Sequence, residues 1–355
     1  VRMKNAETLL VTPDASRRDM NQPADLIEEI LRIEGFDKIP VRLPATRHSS
    51  QPVRDLKAEK TLELKKFMAA LGFNEIMTYS LLSAKALKDA GIDENFKTHS
   101  VVNAVSAEQA FLRPSLLPGM LQAILFNAHR KASNLRFFEV GNIYVDGTED
   151  TRLSFAVYGS MEENWQNKKP ASFHGLKGIL ENVLGFMKIS DGDWTEGEPA
   201  PFVDQGGMLA RGGEPCPAAL IGKISSSVLK NWDIAHDVFY ADVRLEALSE
   251  KAQSRLQVRP VPKFPSVRRD IAFVVDKNIR VRDLETVMEK AAAPYLCAVA
   301  LFDEYTGKNI AAGRRSLAFS LEYQKETGTF TDEEINALQE RVGQTLKERY
   351  QAQFR

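Results

Sequence analysis

The stretch Val258–Asp276, VRPVPKFPSVRRDIAFVVD, joins two parts of the chain that differ in character. It begins with three prolines in close succession, which restrict the backbone and predict a linker in place of a helix. It then alternates, with Ile271, Phe273 and Val275 on one face, and this predicts a buried strand. The interval Lys251–Arg282 holds nine Lys or Arg and two Asp, in a chain of net charge −1. A basic linker that leads into a compact C-terminal module is therefore the strongest local signal.

The segment after the linker has a regular pattern of apolar positions and turn residues. The pattern predicts strand, helix, two strands, helix and a short terminal strand, which is the β-α-β-β-α-β order of ferredoxin-like domains. The predicted elements are strand Asp270–Val275, helix Val281–Ala292, strands Cys297–Tyr305 and Ser316–Tyr323, and a helix from the Thr331 cap to about Tyr350.

Residues 45–250 predict one larger unit. Helical periodicity marks Leu56–Leu71, Leu116–Lys131 and Phe173–Phe186, and strand patterns mark Leu135–Val145 and Leu153–Ser160. Because strands joined by hairpins outnumber strand–helix–strand crossovers, we expect a largely antiparallel sheet with helices on a face. The fold class is therefore α+β.

Composition bounds the class of protein. The chain has 355 residues, 43% hydrophobic and 27% charged, as is typical of globular domains. It has no apolar run of about 18 residues, so we expect no membrane partner. Cys216 and Cys297 are far apart, which favours a reducing, cytoplasmic setting over a disulfide framework. The chain begins inside an apparent strand, Thr8–Thr12, and we expect it to be a fragment of a longer protein.

Motifs for catalysis are absent from the sequence. It has no P-loop, no GxGxxG after a strand, no HExxH and no GxSxG, and its five histidines are scattered. Two arginines, Arg113 and Arg136, and the nearby Glu139 allow two interpretations. The arginines either bind anions or belong to a buried Arg–Glu pair that braces the sheet. We favour the buried pair.

Four carboxylates near the N-terminus, Asp19, Asp25, Glu28 and Glu29, form a candidate metal site. The last three lie within about one helical turn, and their oxygens suit a hard cation such as Mg²⁺. The alternative is a helix N-terminus with Asp25 as the cap and Glu28 three residues on, where acids are favoured in any case. From the residues alone we favour the helix N-terminus.

The C-terminal module carries a set of candidate RNA contacts. Basic groups contact phosphates, and aromatic rings on a sheet stack on unpaired bases. The residues are Lys263, Phe264, Arg268, Arg269, Tyr305, Lys308, Arg314 and Arg315. Residues 262–355 nevertheless hold 15 Lys or Arg against 14 Asp or Glu, so simple solvation of these charges remains the alternative.

Several strings together resemble a known family. They are RRDMNQPADLIEEILRIEGFDKIP, LRPSLLPGMLQAILFN, LRFFEVGNIY and KFPSVRRDIAFVVD, in this order. In combination they closely resemble the beta subunits of bacterial phenylalanine–tRNA ligases. The resemblance covers essentially the whole chain, as the C-terminal part of a larger subunit. The last string is typical of the ferredoxin-fold anticodon-binding domain.

The resemblance implies three domains and a set of partners. Residues 1–44 would end a winged-helix-like domain of the DNA-binding type, 45–255 would form a class II synthetase-like core, and 262–355 would bind the anticodon stem-loop. The family implies an α2β2 assembly that uses ATP to attach phenylalanine to tRNA-Phe. Its spacing Asp-x5-Asp-x2-Glu-Glu falls on the four N-terminal carboxylates and implies Mg²⁺ shared with the alpha subunit.

The same resemblance implies that the core is not catalytic. The sequence lacks the glycine-rich motif ending in Glu-Arg with which class II enzymes bind ATP. Arg136-Phe137-Phe138-Glu139 is out of register with their Phe-Arg-x-Glu. Phenylalanine and ATP would therefore bind the alpha subunit, and this chain would supply scaffold, subunit interface and anticodon contact but no catalytic residue. The alternatives are a stand-alone RNA-binding or scaffold protein derived from the subunit, and an enzyme that uses the glycine-containing segment 204–213.

Overall fold

The computed structural model describes residues 1–42, 55–92, 98–189, 193–195, 200–210, 218–246, 261–307 and 309–354. The chain divides into two compact units, Val1–Ala252 and Gln253–Arg355. The three-domain division at 1–44, 45–255 and 262–355 stays a prediction. Among the described helices, none has both the length and the apolar run that a bilayer span requires.

The chain starts with a hairpin and a helix. Strands β1 (Arg2–Asn5) and β2 (Thr8–Leu10) pair antiparallel, and helix α1 spans Pro23–Glu34. The prediction that Asp25 is the cap was wrong, because the helix begins after Gln22. Asp25 is its third residue, and its Oδ2 accepts the backbone N–H of Gln22 at 2.7 Å. Proline at the first helical position explains the earlier start, since its fixed φ suits a helix and it lacks an N–H that would go unpaired there.

The larger part of the first unit is built on a seven-stranded sheet. Its strand order is β10-β11-β12-β13-β7-β6-β3, and every neighbouring pair is antiparallel except β3 with β6. The predicted largely antiparallel sheet is thus confirmed. The elements are α2 (Leu56–Ala70), β3 (Asn74–Glu75), β4 (Leu81–Leu82), α3 (Ala84–Asp89), β5 (Phe111–Leu112), α4 (Leu117–Ala128), β6 (Leu135–Val145), β7 (Thr148–Tyr158), β8 (Ser160–Glu163), β9 (Lys168–Pro170), α5 (Phe173–Phe186), β10 (Asp193–Thr195), β11 (Val203–Ala210), β12 (Ala219–Ile224), α6 (Ser226–Asn231) and β13 (Val238–Arg244).

Helices cover both faces of this sheet, whereas the sequence predicted one. Phe138 and Phe155 belong to a core that includes residues of α2 and α5. Their neighbours Phe137 and Ala156 belong to a second core with residues of α3, α4 and α6. Successive strand residues point to opposite faces, so two apolar neighbours in one strand require a cover on each side.

The second unit has the predicted ferredoxin-like order. Its elements are β14 (Val267–Asp276), α7 (Val281–Ala292), β15 (Leu296–Tyr305), β16 (Arg314–Tyr323), α8 (Asp332–Tyr350) and β17 (Gln353–Phe354). The sheet order is β15-β16-β14-β17, with antiparallel neighbours. The predicted cap of α8 is confirmed, because Thr331 Oγ1 accepts the backbone N–H of Glu334 and Glu334 Oε2 accepts that of Thr331.

Register decides which side chains of this sheet face the helices. Residues directly opposite in an antiparallel pair point to the same face. Phe273 pairs with Leu317, and both are fully buried in the core against α7 and α8. The alternate positions of β14, such as Arg268 opposite Glu322, face away from the helices. The sheet therefore has one covered face and one face open to partners.

Candidate metal and RNA-contact sites

Two of the four N-terminal carboxylates converge on one positive charge. Arg17 Nη2 lies 2.7 Å from Asp19 Oδ2 and 2.7 Å from Glu29 Oε1. Glu29 Oε2 also accepts from Arg32 Nη2 at 2.7 Å. Hydrogen bonds from Arg17 and then Arg32 lower the pKa of Glu29 to about 2, and those from Arg17 lower the pKa of Asp19. Asp19 and Glu29 are thus ionised and oriented towards a shared cation.

The other two carboxylates do not join them. Asp25 Oδ2 accepts the backbone N–H groups of Asn21 and Gln22, and Glu28 is exposed. In the described ranges, no three His, Cys, Asp or Glu side chains are arranged to hold a metal ion. The four residues offer only oxygen ligands, which suit Mg²⁺ chemically. Asp19 and Glu29 already bind one cationic group, the Arg17 guanidinium that lies between them.

A buried ion pair braces the large sheet. Arg113 Nη1 lies 2.8 Å from Glu139 Oε1, and the two side chains are only 6% and 3% exposed. Thr78 Oγ1 donates to Glu139 Oε2 at 2.7 Å, and Arg113 Nε donates to the Asn142 carbonyl at 2.8 Å. The favoured Arg–Glu pair is confirmed with Arg113. Arg136 does not join it; within the described ranges, its Nη1 lies 3.5 Å from the Leu71 carbonyl.

A second polar network lies on the α4 side of the sheet, and sequence reasoning missed it. The Tyr240 hydroxyl lies 3.0 Å from Ser154 Oγ and 3.2 Å from Asp242 Oδ2, and Ser154 Oγ donates to Asp242 Oδ2 at 2.8 Å. Burial raises the pKa of Tyr240 well above its ordinary value. Ser154 and Asp242 are directly opposite in β7 and β13, so a correct strand pairing would have revealed the contact.

The network and α4 together fill this part of the sheet face. Tyr240 is 1% exposed, and Leu117, Met120 and Leu121 of α4 are fully buried against the same core. The polar groups bond to one another, so they are not presented to a ligand. Of the segment 204–213 in the glycine-based enzyme alternative, residues 204–210 lie in β11, and residues 211–213 lie outside the described ranges.

The candidate RNA contacts of the second unit fall into two groups. The first lies where β14 begins. Arg268 Nη2 is 3.5 Å from Glu322 Oε2, and Arg269 Nη2 is 3.2 Å from Asp332 Oδ1. Lys263 is exposed, and Phe264 is half-buried just before the strand. Each of the two arginines at this end thus lies beside a carboxylate of its own.

The second group lies at the opposite end of β14. Arg314 faces Asp276 across the strands, eight residues from Arg268, or roughly 27 Å along an antiparallel strand. Tyr305 is 45% exposed at the end of β15. Arg315 is only 15% exposed and binds Glu304 Oε1 at 3.0 Å and the Ile279 carbonyl at 2.6 Å. Lys308 lies outside the described residues. The structure therefore does not bring the candidates together into one patch.

Comparison with known families covers most of the chain. Residues 39–245 match the phenylalanyl tRNA synthetase beta chain CLM domain. Residues 262–355 match the ferredoxin-fold anticodon binding domain, and residues 1–36 match the tRNA synthetase B5 domain.

Individual relatives agree with these matches. Phenylalanine–tRNA ligase beta subunits from Symbiobacterium thermophilum and Bacillus licheniformis are 33% and 32% identical over 96% and 98% of this chain. The chain spans 39% and 44% of their respective lengths, so it is less than half as long as they are. A solved pyrrolysyl tRNA synthetase from Desulfitobacterium hafniense is 18% identical, with a TM-score of 0.42 over 53% of this chain and 67% of that one. The match over 39–245, which covers more than half of the chain, together with these relatives shows that the chain belongs to the phenylalanyl tRNA synthetase beta chain family.

Proposed function

We propose that this chain acts as a non-catalytic part of a phenylalanine–tRNA ligase beta subunit. It would bind an alpha subunit in an α2β2 assembly in the cytoplasm and contact the anticodon stem-loop of tRNA-Phe. The alpha subunit would bind ATP and phenylalanine and carry out the chemistry. The observation that carries the proposal is the match of residues 39–245 and 262–355 to two domains of this family.

The contribution of this chain would be positional. Phosphate contacts fix the register and orientation of a nucleic acid, and an oriented acceptor end lowers the entropic cost of the transfer step. On the open sheet face, Arg268 of β14 and Arg314 of β16, at opposite ends of the paired strands, would contact phosphates. Lys263 and Lys308 would contribute further phosphate contacts. The rings of Phe264 and Tyr305 would stack on bases. Arg269 and Arg315 lie on the helix-facing positions of the sheet and would act at its edges.

The filled sheet face supports the non-catalytic part of the proposal. A site for ATP and phenylalanine requires a concave, open surface with a few convergent polar groups. Here the polar groups of the Tyr240–Ser154–Asp242 network bond to one another beneath α4, and so do those of the Arg113–Glu139 pair. Among the described residues we assign no catalytic role.

We propose further that Asp19, Asp25, Glu28 and Glu29 hold a Mg²⁺ ion shared with the alpha subunit. The donor set is chemically suitable, and Asp19 and Glu29 already face one positive charge. Bound there, Mg²⁺ would neutralise the charge of these carboxylates. Arg17 would have to release both carboxylates, so metal binding and the Arg17 contacts exclude each other.

Two measurements on the purified chain test the proposal. Filter binding should show that it binds a tRNA-Phe transcript, with an affinity that falls as salt rises. Phenylalanine-dependent ATP–pyrophosphate exchange should be absent for the chain alone and present once the alpha subunit is added. Exchange by the chain alone would overturn the non-catalytic assignment, and absence of tRNA binding would overturn the anticodon role.

A further inference from the structure

One corner of the C-terminal sheet carries a cavity between the end of β14 and the loop that joins β15 to β16. The cavity is open to solvent, measures about 230 Å³, and is lined by Lys277, Gly307, Ile310 and Arg314 among others. The Lys277 backbone N–H donates to the Gly313 carbonyl at 2.9 Å, which fixes the lysine beside the loop. Sequence reasoning did not select Lys277.

Two cations border this cavity without a carboxylate partner in the described part of the chain. Arg314 Nη2 donates to the Gln351 carbonyl at 3.0 Å, and Lys277 is exposed. Asp276, opposite Arg314 in the sheet, accepts the backbone N–H of Asn278 at 2.9 Å. Arg268 at the far end of β14 is accompanied by a carboxylate, which reduces the field that a phosphate would meet there. Among the described residues, neither Lys277 nor Arg314 is held in an ion pair, so both charges are available to an anion in the cavity.

An aromatic ring lies against Gly307, one of the residues that line the cavity. Tyr305 packs against Gly307, where an added Cβ would come within 2.0 Å of the Tyr305 hydroxyl oxygen. Only glycine leaves room for the ring in this position. Because the ring end of Tyr305 can swing away, a methyl group at 307 would displace the ring and leave the cations untouched.

We propose that Lys277 and Arg314 form a phosphate-binding site for single-stranded RNA in this cavity, beside the ring of Tyr305. The site would hold the phosphate of a nucleotide whose base lies against the ring. A phosphodiester meets two cations here with an aromatic ring beside them, which is the combination that binds unpaired nucleotides. The inference rests on the proposed anticodon role and specifies where on the module RNA is held.

Charge variants test the phosphate contact. Lys277→Gln should lower tRNA-Phe affinity and reduce the slope of log K against log salt by about 0.7, the value for one phosphate contact on a single strand. Lys290→Gln, a matched change at an exposed lysine of α7 on the helix side of the sheet, should leave affinity and slope unchanged. Equal slopes for the wild type and Lys277→Gln would overturn the site.

A glycine variant tests the neighbouring ring independently. Gly307→Ala should weaken binding about five-fold or more without changing the salt slope, since stacking is lost and no charge is removed. Gly343→Ala in α8 is the matched control, because its Cβ would meet its nearest neighbour, Phe354, at an ordinary 3.5 Å. If the wild type binds tRNA-Phe and Lys277→Gln and Gly307→Ala bind it as tightly as the wild type, the proposed phosphate site is wrong and the anticodon role stands. If the wild type does not bind tRNA-Phe, the phosphate site and the anticodon role are both wrong.

Discussion

Replacing Glu139 by glutamine tests the role of the buried ion pair in the first unit. The substitution keeps the size and shape of the side chain and removes its charge. Arg113 would then remain only 6% exposed without its carboxylate at 2.8 Å. A buried charge without a partner is far more costly than a neutral group in the same place.

The magnitude follows from the contacts that remain. Removing one partner of a buried pair costs about 3–5 kcal/mol. Arg113 would keep its bonds to the carbonyls of Asn142 and Thr78, at 2.8 and 3.2 Å, and these offset part of the loss. We therefore expect a loss of about 3 kcal/mol in the free energy of unfolding of the first unit.

Tryptophan fluorescence during urea unfolding measures this unit alone. All three tryptophans, Trp165, Trp194 and Trp232, lie within Val1–Ala252. Arg130→Met, which removes an exposed arginine stacked on Phe126 in the same unit, is the control and should cost no more than about 1 kcal/mol. A Glu139→Gln protein within about 1 kcal/mol of the wild type would show that the pair does not brace the sheet.

Three further predictions concern pH, metal and RNA. Burial raises the pKa of Tyr240, so the stabilisation by its neutral form is complete below the ordinary pKa of 10.0 and is lost as pH rises further. Tyr240→Phe should therefore flatten the alkaline loss of unfolding free energy, measured by urea titrations followed by fluorescence. An unchanged dependence of the unfolding free energy on pH would contradict this prediction. Arg17→Gln removes the contacts of Arg17 with Asp19 and Glu29, while Glu29 keeps its contact with Arg32, and should raise Mg²⁺ affinity in calorimetry. An unaltered affinity would remove these carboxylates from the proposed site. Arg268→Ala with Arg269→Ala should reduce the salt slope of tRNA binding by about 0.7 for each phosphate that the variant no longer neutralises, and an unchanged slope would exclude both residues from the RNA interface.

Elements with strong periodicity could be predicted from the sequence. The ferredoxin-like order of the second unit follows from alternation in β14 and from the Thr331–Glu334 cap of α8, both of which are local patterns. The antiparallel character of the large sheet followed from its hairpins. The second helical layer did not, because two adjacent apolar residues such as Phe137 and Phe138 do not reveal which helices cover them.

Contacts that depend on register could not be predicted from spacing. The sequence placed Arg136 next to Glu139, but the pairing of distant segments brings Arg113 there. Asp25 and Glu28 had the spacing of a cap, yet Pro23 set the start of the helix three residues earlier.

The candidate RNA residues show the same limit. Arg268 and Arg314 lie on one predicted module, but only the pairing of β14 with β16 shows that they lie at opposite ends of the sheet. Lys277 could not be predicted from the sequence, because its place at the cavity depends on the loop that folds beside it.

The assignment as a ligase subunit is tested by co-expression of this chain with a tagged phenylalanine–tRNA ligase alpha subunit, followed by the native mass of the eluted complex. We expect a stoichiometric complex that contains both chains. A chain that elutes alone as a single monodisperse species, with the alpha subunit present and folded, would contradict its assignment as a subunit of the ligase.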